Sequence, residues 1–483
     1  MNNAIVRLFG VVIVLFAVLV VWTSRATVFD ATALQNNPLN KLAEFQSWKV
    51  KRGELVADDG QVLARSVAAG GGIWNRTYPF GSLFSQLVGY SNQQEGSAAG
   101  MEQYFTPQLS GPKSALAKVF GSFNGGTPVG DDVYTTLDPK AQKLAQELLR
   151  GRIGAAIAIV PQTGAVKVMY SNPTYNDNDP DAKCPPNALN IGCTFNMATQ
   201  AMLPPGSTFK LVTTTAALDS GKYNADSIIV GNSPLKVSGT PLENDGNQSW
   251  GPVTLTKALT YSINTVYAQV GQNVGAQVME KYMKRFGFYS TPPLQFPSDQ
   301  MIASGEAIRR NGGYALIPPT DPDVDLGRMS IGQDKLAVTP LQMAMVVSAI
   351  ANGGKLMEPR LATRVVNSDG QVVQTYPPIE YDQVMKPSTA ATLTSMMQDV
   401  VEEGTGTAAN VEGLKVAGKT GTASTGGYQD GEPLDDAWFV GFPVQDPRIA
   451  VAVTLENIPN GYGGTYAAPI AADLIKTLLA EHQ

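Results

Sequence analysis

The sequence has almost no histidine: among 483 residues there is only His482, next to the last position. Ser-His-Asp triads, His-ligated zinc sites and histidine general bases all need an imidazole inside the folded part of a chain. We therefore expect any catalysis to depend on Lys, Ser, Asp, Glu or Tyr, with no metal site and no cofactor.

The chain also lacks an excess of positive charge. Its 35 Lys and Arg residues against 41 Asp and Glu give a net charge of −6, and it has no long basic run. Because nucleic-acid binding depends on clustered cations, we expect no nucleic-acid partner. With 43% hydrophobic residues and 16% charged residues, the chain is expected to fold into two or three units of roughly 100 to 200 residues.

Cysteine is scarce as well, since Cys184 and Cys193 are the only two. In an oxidising exterior they can form a disulfide, and the alternative is a pair of free, partly buried thiols. No neighbouring residue would clearly lower either thiol's pKa, so neither cysteine is a candidate nucleophile.

One long apolar run lies near the start of the chain. Leu8 to Trp22 is uninterrupted, and Arg7 is the only charge between Ala4 and Thr23. This is nearly one bilayer crossing, although a cleaved signal peptide is the competing interpretation. Arg7 and the terminal amine favour a cytoplasmic N-terminus. We expect a single-pass anchor in the cell membrane with the rest of the chain outside the cytoplasm.

The pattern divides the chain into three parts: a cytoplasmic tip and anchor at 1–24, a platform of short irregular elements at 25–150, and a larger domain at 151–483. Asp138 to Leu149 has helical spacing, with Asp138 as N-cap and Pro139 at the first helical position.

The larger domain is predicted to be α+β, with strands at both ends of its sequence and helices between them. The predicted elements are a hairpin of Ala155 to Val160 and Ala165 to Met169, helices at Ser207 to Leu218, Leu255 to Val270, Pro340 to Ala351 and Thr389 to Val401, strands at Leu414 to Ala417, Ala437 to Phe442 and Ile449 to Leu455, and a helix at Ala468 to Leu479.

A serine and a lysine are spaced for chemistry in Ser207-Thr208-Phe209-Lys210, which opens a helical run. A lysine three residues after a serine lies on the same helix face, and a buried lysine that is partly neutral can accept the serine proton. By itself this spacing more often marks an N-cap with a surface lysine. The similar Ser233-Pro234-Leu235-Lys236 is followed by residues that cannot continue a helix.

Two further short motifs follow in order. Ser262-Ile263-Asn264 lies within the predicted helix from Leu255 and offers a hydroxyl and a carboxamide, whereas the copy at Ser122-Phe123-Asn124 is interpreted as a platform turn. Lys419-Thr420-Gly421-Thr422 comes directly after the predicted strand at Leu414, and its lysine, hydroxyls and glycine suit a bound carboxylate. The alternative is an ordinary strand end with a glycine turn.

The three motifs in this order form the signature of penicillin-binding proteins and serine β-lactamases. The chain resembles class B penicillin-binding proteins, the monofunctional D,D-transpeptidases of bacterial cell walls, most closely the actinobacterial kind. Further similarities are Arg52-Gly53-Glu54-Leu55, Tyr78-Pro79, Gly100-Met101-Glu102, Ser330-Ile331-Gly332-Gln333 and Trp438-Phe439-Val440-Gly441.

The resemblance implies a penicillin-binding, serine β-lactamase-like transpeptidase domain with an antiparallel sheet, and a platform like the family's dimerisation domain. It implies Ser207 as nucleophile and Lys210 as base, and a transfer of the proton through Ser262. Asn264 would hold Lys210 and the substrate amide. Lys419, Thr420, Gly421 and Thr422 would bind the carboxylate of a peptidoglycan stem peptide, and β-lactams would acylate Ser207.

The resemblance also implies a polytopic cell-wall glycosyltransferase as partner. A bifunctional enzyme is excluded because the platform is too short for a glycosyltransferase domain. A β-lactamase and a non-catalytic sensor or scaffold are the rival functions, and turnover of a β-lactam separates the first from a transpeptidase.

Overall fold

The structure is a computed structural model that describes residues 2–26, 48–92, 96–111, 129–184, 192–310 and 313–480. His482 and the tripeptide copy at 122–124 lie outside the described residues. The helices are α1 Asn2–Ser24, α2 Ser85–Val88, α3 Gly100–Tyr104, α4 Thr106–Leu109, α5 Pro139–Leu148, α6 Met197–Gln200, α7 Lys210–Asp219, α8 Leu255–Thr260, α9 Asn264–Val274, α10 Ala276–Arg285, α11 Leu326–Met329, α12 Pro340–Ala351, α13 Pro387–Glu402 and α14 Gly463–Ala480.

The strands are short in the platform and long around the catalytic motifs. They are β1 Leu55–Val56, β2 Val62–Gly70, β3 Ile73–Thr77, β4 Ser91–Asn92, β5 Ser97–Ala98, β6 Asp132–Thr135, β7 Gly154–Ile159, β8 Val166–Asn172, β9 Ile228–Val230, β10 Leu235–Val237, β11 Thr240–Leu242, β12 Pro252–Thr254, β13 Gly305–Arg310, β14 Gly313–Ile317, β15 Leu336–Ala337, β16 Lys355–Met357, β17 Ala362–Val366, β18 Val372–Thr375, β19 Glu380–Gln383, β20 Val416–Gln429, β21 Glu432–Pro443 and β22 Ala450–Pro459.

The central sheet of the larger domain has the strand order β20-β21-β22-β7-β8, and its neighbours are antiparallel. The predicted hairpin is confirmed as β7 and β8. Strand β22 from the end of the chain pairs with β7 from the start of the domain, so that Ala452 lies opposite Ile157. The α+β fold with strands from both sequence ends in one sheet is therefore confirmed.

Both faces of this sheet are covered, which explains why β7 is an unbroken apolar run. Ile157 belongs to the larger core with the buried side chains of α12, whereas Ala156 and Ala158 belong to a second core with Leu474 and Ile475 of α14. Alternate residues of a strand face opposite sides. A strand with apolar residues at every position can therefore be buried on both sides.

The platform sheet has the order β18-β17-β6-β1-β2-β3. Strands β17 and β18 come from after residue 151, and Val365 lies opposite Val133 of β6. Beneath the sheet the fully buried Glu102 carboxylate contacts Arg52 at 2.8 Å and Arg76 at 2.6 Å. The sheet joins the platform to the larger domain through β17 and β18, whereas the ion cluster lies within the platform.

Several helix predictions are confirmed and one is wrong. Helix α5 begins at Pro139, and the carboxylate of Asp138 accepts from the N–H groups of Lys140 and Ala141, as the N-cap assignment predicted. The predicted helix from Leu255 is two helices, because Ser262 has a φ of 58° and ends the first one. The left-handed conformation is unfavourable for a non-glycine residue and interrupts the helical hydrogen bonds.

The strand predicted at Leu414 to Ala417 is wrong in its bounds. Strand β20 begins at Val416 and continues to Gln429, so the Lys-Thr-Gly-Thr motif lies within it and not after it. Pairing along β21, with Lys419 opposite Val440 and Thr422 opposite Ala437, carries the strand through the glycine.

Two features bear on location. Cys184 and Cys193 form a disulfide with their Cα atoms 5.6 Å apart, so the paired alternative is confirmed. Among the described residues, the helix segment Asn3–Ser24 is long and apolar enough to cross a membrane, with a mean hydropathy of 3.0 and its side chains exposed. At 1.5 Å per residue it spans about 30 Å, the thickness of a bilayer core.

Candidate active site

The turn that carries Ser207 depends on Gly206, the residue directly before the serine. Gly206 has a φ of 52°, its N–H donates to the Gly332 carbonyl at 3.1 Å, and a 3-10 turn over Gly206–Phe209 leads into α7. A Cβ on Gly206 would lie 2.6 Å from the carbonyl oxygen of Thr422. Only glycine therefore allows the serine turn to lie this close to β20.

Lys210 is the first residue of α7 and is fully buried. Its Nζ donates to the Ser262 carbonyl at 2.7 Å, to Asn264 Oδ1 at 2.8 Å and to Ser262 Oγ at 3.1 Å. The Ser207 hydroxyl makes no hydrogen bond within the described residues. The lysine is thus held by the second motif, one turn away from the serine.

Ser262 occupies the break between α8 and α9, and its hydroxyl links two lysines. Ser262 Oγ accepts from Lys210 Nζ and, at 3.0 Å, from Lys419 Nζ. The left-handed backbone of Ser262 directs its carbonyl and its hydroxyl towards the same ammonium group. The interruption of the helix therefore builds the contact between the first and third motifs.

Two fully buried lysines that share one hydroxyl have unusual electrostatics. Desolvation lowers the pKa of Lys419 to about 7. Burial and the neighbouring Lys419 charge lower the pKa of Lys210 well below its usual range. Burial disfavours the charged form of an amine, and a second positive charge disfavours it further. A neutral lysine is consequently accessible near neutral pH.

An aromatic ring that the sequence interpretation missed lies beneath Lys210. Lys210 Nζ is 5.4 Å from the ring centroid of the fully buried Tyr267. The hydroxyls of Tyr267 and Thr214 share a hydrogen bond of 2.8 Å, and Thr214 Oγ1 donates to the Lys210 carbonyl. The ring face stabilises a cation at this position. Tyr267 lies five residues after Ser262, but no spacing rule identifies it.

The hydroxyls of the third motif have different surroundings. Thr420 is 3% exposed, and its hydroxyl shares a 2.6 Å hydrogen bond with that of Thr405, which was not predicted. Thr422 is partly exposed, and its Oγ1 accepts from the N–H of Gly463 at 3.3 Å. Thr422 is therefore the more accessible of the two threonines for a ligand.

One cavity of about 780 Å³ brings these groups together. Its wall includes residues of all three predicted motifs and several aromatic or polar residues that were not predicted, namely Ser207, Ser262, Asn264, Thr420, Thr422, Trp250, Tyr261, Thr405 and Tyr462. The Trp250 and Tyr261 rings stack with their centroids 4.9 Å apart. Lys210 and Lys419 lie behind the wall, and Gly421 abuts the turn before Ser207. All eight predicted site residues thus lie in or against one cavity.

A family model described as the penicillin binding protein transpeptidase domain matches residues 154–476. The chain belongs to the penicillin-binding protein transpeptidase family. A second model, the penicillin binding protein A dimerisation domain, matches residues 52–133. The chain therefore has the class B arrangement of a platform followed by a transpeptidase domain.

Curated relatives match over the full length. The peptidoglycan D,D-transpeptidase PbpA of Mycolicibacterium smegmatis is 31% identical over 100% of both chains, and that of Mycobacterium tuberculosis is 30% identical over 99% of both. The ceftriaxone acyl-enzyme complex of penicillin-binding protein A from M. tuberculosis has a TM-score of 0.78 at 29% identity, covering 90% of this chain and 99% of that chain. The penicillin G acyl-enzyme complex has a TM-score of 0.76 at 30% identity, covering 89% and 99%.

Proposed function

We propose that this protein is a serine peptidoglycan D,D-transpeptidase that cross-links stem peptides and is acylated by β-lactams. The observation that carries the proposal is the link Lys210–Ser262–Lys419, in which one serine hydroxyl accepts from two fully buried lysines beside the Ser207 turn. The described part of the chain has no histidine, and a lysine made partly neutral by burial can act as the base in its place. The full-length PbpA relatives support the same reaction.

The first half of the reaction forms an acyl-enzyme. Ser207 Oγ attacks the carbonyl carbon of the bond between the two terminal D-Ala residues, and its proton passes to neutral Lys210. The C–N bond then breaks, and the leaving D-Ala amine takes a proton from Lys210 through the Ser262 hydroxyl. The hydrogen bond from Lys210 Nζ to Ser262 Oγ at 3.1 Å supports this transfer.

We assign the binding of the negatively charged end of the substrate to the third motif. Thr422 and, behind it, Thr420 and Lys419 bind the terminal carboxylate, and Gly421 lets β20 approach the Ser207 turn. The backbone N–H groups of Ser207 and Thr422 form the oxyanion hole. The 2.6 Å between a Cβ on Gly206 and the Thr422 carbonyl oxygen supports this assignment, because the two backbone segments must be closely packed to act on one oxyanion.

The second half of the reaction forms the cross-link. An amine of a neighbouring stem peptide attacks the acyl carbon, Lys210 accepts its proton by the reverse route, and Ser207 is released. The cavity of about 780 Å³ is large enough for parts of two peptide chains. Asn264 holds Lys210 through its Oδ1, and we assign its carboxamide to the substrate amide as well.

Location and partner follow from the anchor and platform. We assign α1 as a single membrane span with a cytoplasmic N-terminus and place residues 25–483 outside the cytoplasm, the platform at 25–150 and the transpeptidase domain at 151–483. A protease added to intact spheroplasts should then remove the large domain. A polytopic glycosyltransferase would bind through α1 and the platform, and replacing α1 with an unrelated membrane helix should reduce its co-purification.

The reaction is tested by supplying nascent peptidoglycan to the detergent-solubilised protein and measuring free D-Ala and cross-linked product together. We expect equal amounts of both, and neither with Ser207→Ala. Ser388→Ala, which removes an exposed serine near the start of α13, is the matched control. D-Ala release without cross-links would indicate a carboxypeptidase, catalytic hydrolysis of nitrocefin would indicate a β-lactamase, and no product would indicate a scaffold.

A further inference from the structure

Asn244 is a buried carboxamide in the cavity wall with no part in the predicted motifs. It is 5% exposed, and its Nδ2 donates to the Gly231 carbonyl at 3.0 Å and to the Gln248 carbonyl at 2.8 Å. Its Oδ1 accepts from the N–H of Thr265 at 2.9 Å. Three hydrogen bonds to backbone groups of three different segments fix the position of this side chain.

The bond to Thr265 fixes the start of α9. The first N–H groups of a helix have no partner inside the helix and need an acceptor from elsewhere. The N-cap position is occupied by Ile263, which makes no side-chain cap. Asn244, 21 residues earlier in the chain than Thr265, therefore supplies the acceptor next to Asn264.

The neighbouring carbonyl fixes which way the Asn264 amide faces. Asn264 Nδ2 donates to the Glu243 carbonyl at 3.1 Å, and its Oδ1 accepts from Lys210 at 2.8 Å. A carbonyl can only accept, so the NH₂ end must face Glu243 and the oxygen must face Lys210. A rotated amide would present two donors to the lysine and would leave it without this acceptor.

We propose that Asn244 is a positioning residue for acylation: it holds Glu243 and the first turn of α9, and thereby orients the Asn264 carboxamide that positions Lys210. The proposal rests on the proposed function, because it concerns the base of that reaction. It assigns no contact between Asn244 and the reacting atoms.

A double-mutant cycle tests this coupling. The rate of acylation by penicillin G is measured for the full-length detergent-solubilised wild type, Asn244→Ala, Asn264→Ala and the double variant. We expect Asn244→Ala to slow acylation by about 10-fold, and the double variant to be no slower than Asn264→Ala alone, since both changes remove the same arrangement.

The matched control is Asn273→Ala at the other end of α9. Its carboxamide is exposed and donates to the Tyr223 hydroxyl at 2.7 Å, so it has the same chemistry on the same helix. We expect its acylation rate to equal that of the wild type. The pH at which acylation is half-maximal should shift to lower values in Asn244→Ala and not in Asn273→Ala, because a misplaced Asn264 oxygen no longer stabilises the protonated lysine.

Additive effects of Asn244→Ala and Asn264→Ala would overturn the proposal, as would an unchanged rate in Asn244→Ala. If Asn244→Ala does not fold, Asn244→Asp keeps the acceptor for Thr265 and removes both donors. Because the bond to Thr265 remains, we expect a smaller non-additive loss that comes from the Glu243 segment alone, and a wild-type rate would contradict the proposal. A failure of the proposed function is distinct, because the wild type itself would then form no adduct.

Discussion

Replacing Lys419 by Met should stabilise the protein at neutral pH while it abolishes acylation. Lys419 is fully buried, and its pKa falls from 10.5 to about 7 on folding. A lysine whose folded pKa is depressed binds fewer protons in the folded state than in the unfolded state. Lys419 therefore lowers the free energy of unfolding when the pH is below its folded pKa. This destabilisation is relieved as the pH rises from 7 towards 10.5.

The magnitude follows from those two values. Between pH 7 and pH 9 the relief from one such lysine is about 2 kcal/mol, at roughly 1.4 kcal/mol per pH unit once the folded form has lost its proton. Over this interval the free energy of unfolding of the wild type should therefore increase by about 2 kcal/mol more than that of Lys419→Met. The mutant keeps the volume of the side chain and removes the charge.

The assay measures the melting temperature of the detergent-solubilised protein at pH 7 and pH 9, with tryptophan fluorescence as the probe of unfolding. Lys415→Met, an exposed lysine just before the same strand, is the control and should keep the wild-type pH dependence. Titrations of groups that do not interact with Lys419 cancel when the variants are compared. Removing the Lys419 charge also makes the Lys210 pKa less depressed in the mutant, which reduces the pH dependence of the mutant further and therefore acts in the same direction. An identical pH dependence in the wild type and Lys419→Met would refute the assignment of a depressed pKa.

Three further predictions test other parts of the account. The rate of Ser207 acylation by penicillin should increase with pH through an apparent pKa below the ordinary lysine value, because the base must be neutral. Quenched time courses read by mass spectrometry across pH 5 to 10 measure this rate, and a profile that rises only near pH 10 or above would contradict the prediction. Gly206→Ala should lower the free energy of unfolding by about 1–3 kcal/mol and should slow acylation, because the new Cβ meets the Thr422 carbonyl and residue 206 has a positive φ. A wild-type melting temperature and acylation rate would show that the turn tolerates a side chain. Glu102→Gln should destabilise the platform by about 3–5 kcal/mol, because it leaves two buried arginines without their carboxylate. Limited proteolysis should then cleave the variant within residues 52–111, and resistance equal to that of the wild type would show that the ion cluster does not stabilise the platform.

The composition and motifs predicted which residues come together in the site. The near absence of histidine favoured a lysine base, and the order of predicted strands and helices indicated the α+β class. The three motifs carried the resemblance to penicillin-binding proteins, which implied the transpeptidase fold. Runs of apolar residues located β7, β8 and α12, because most residues of these elements are buried. Local sequence information was sufficient for these elements.

What the sequence did not predict depends on contacts between distant segments. The break at Ser262 has no glycine or proline to mark it, and its left-handed backbone is held by contacts with both lysines. The strand through Lys419 extends past a glycine because β21 pairs with it without interruption from Val416 to Ser424. Thr405 reaches the site from the segment after α13, and no local pattern links it to Thr420.

The central claim is that Ser207 forms an acyl-enzyme with Lys210 as base, and intact-mass spectrometry after incubation with a penicillin tests it most directly. The account predicts one stable drug adduct per chain, located on the peptide that contains Ser207 and absent in Ser207→Ala. An adduct that persists in Ser207→Ala, or no adduct while the drug is destroyed, would contradict it.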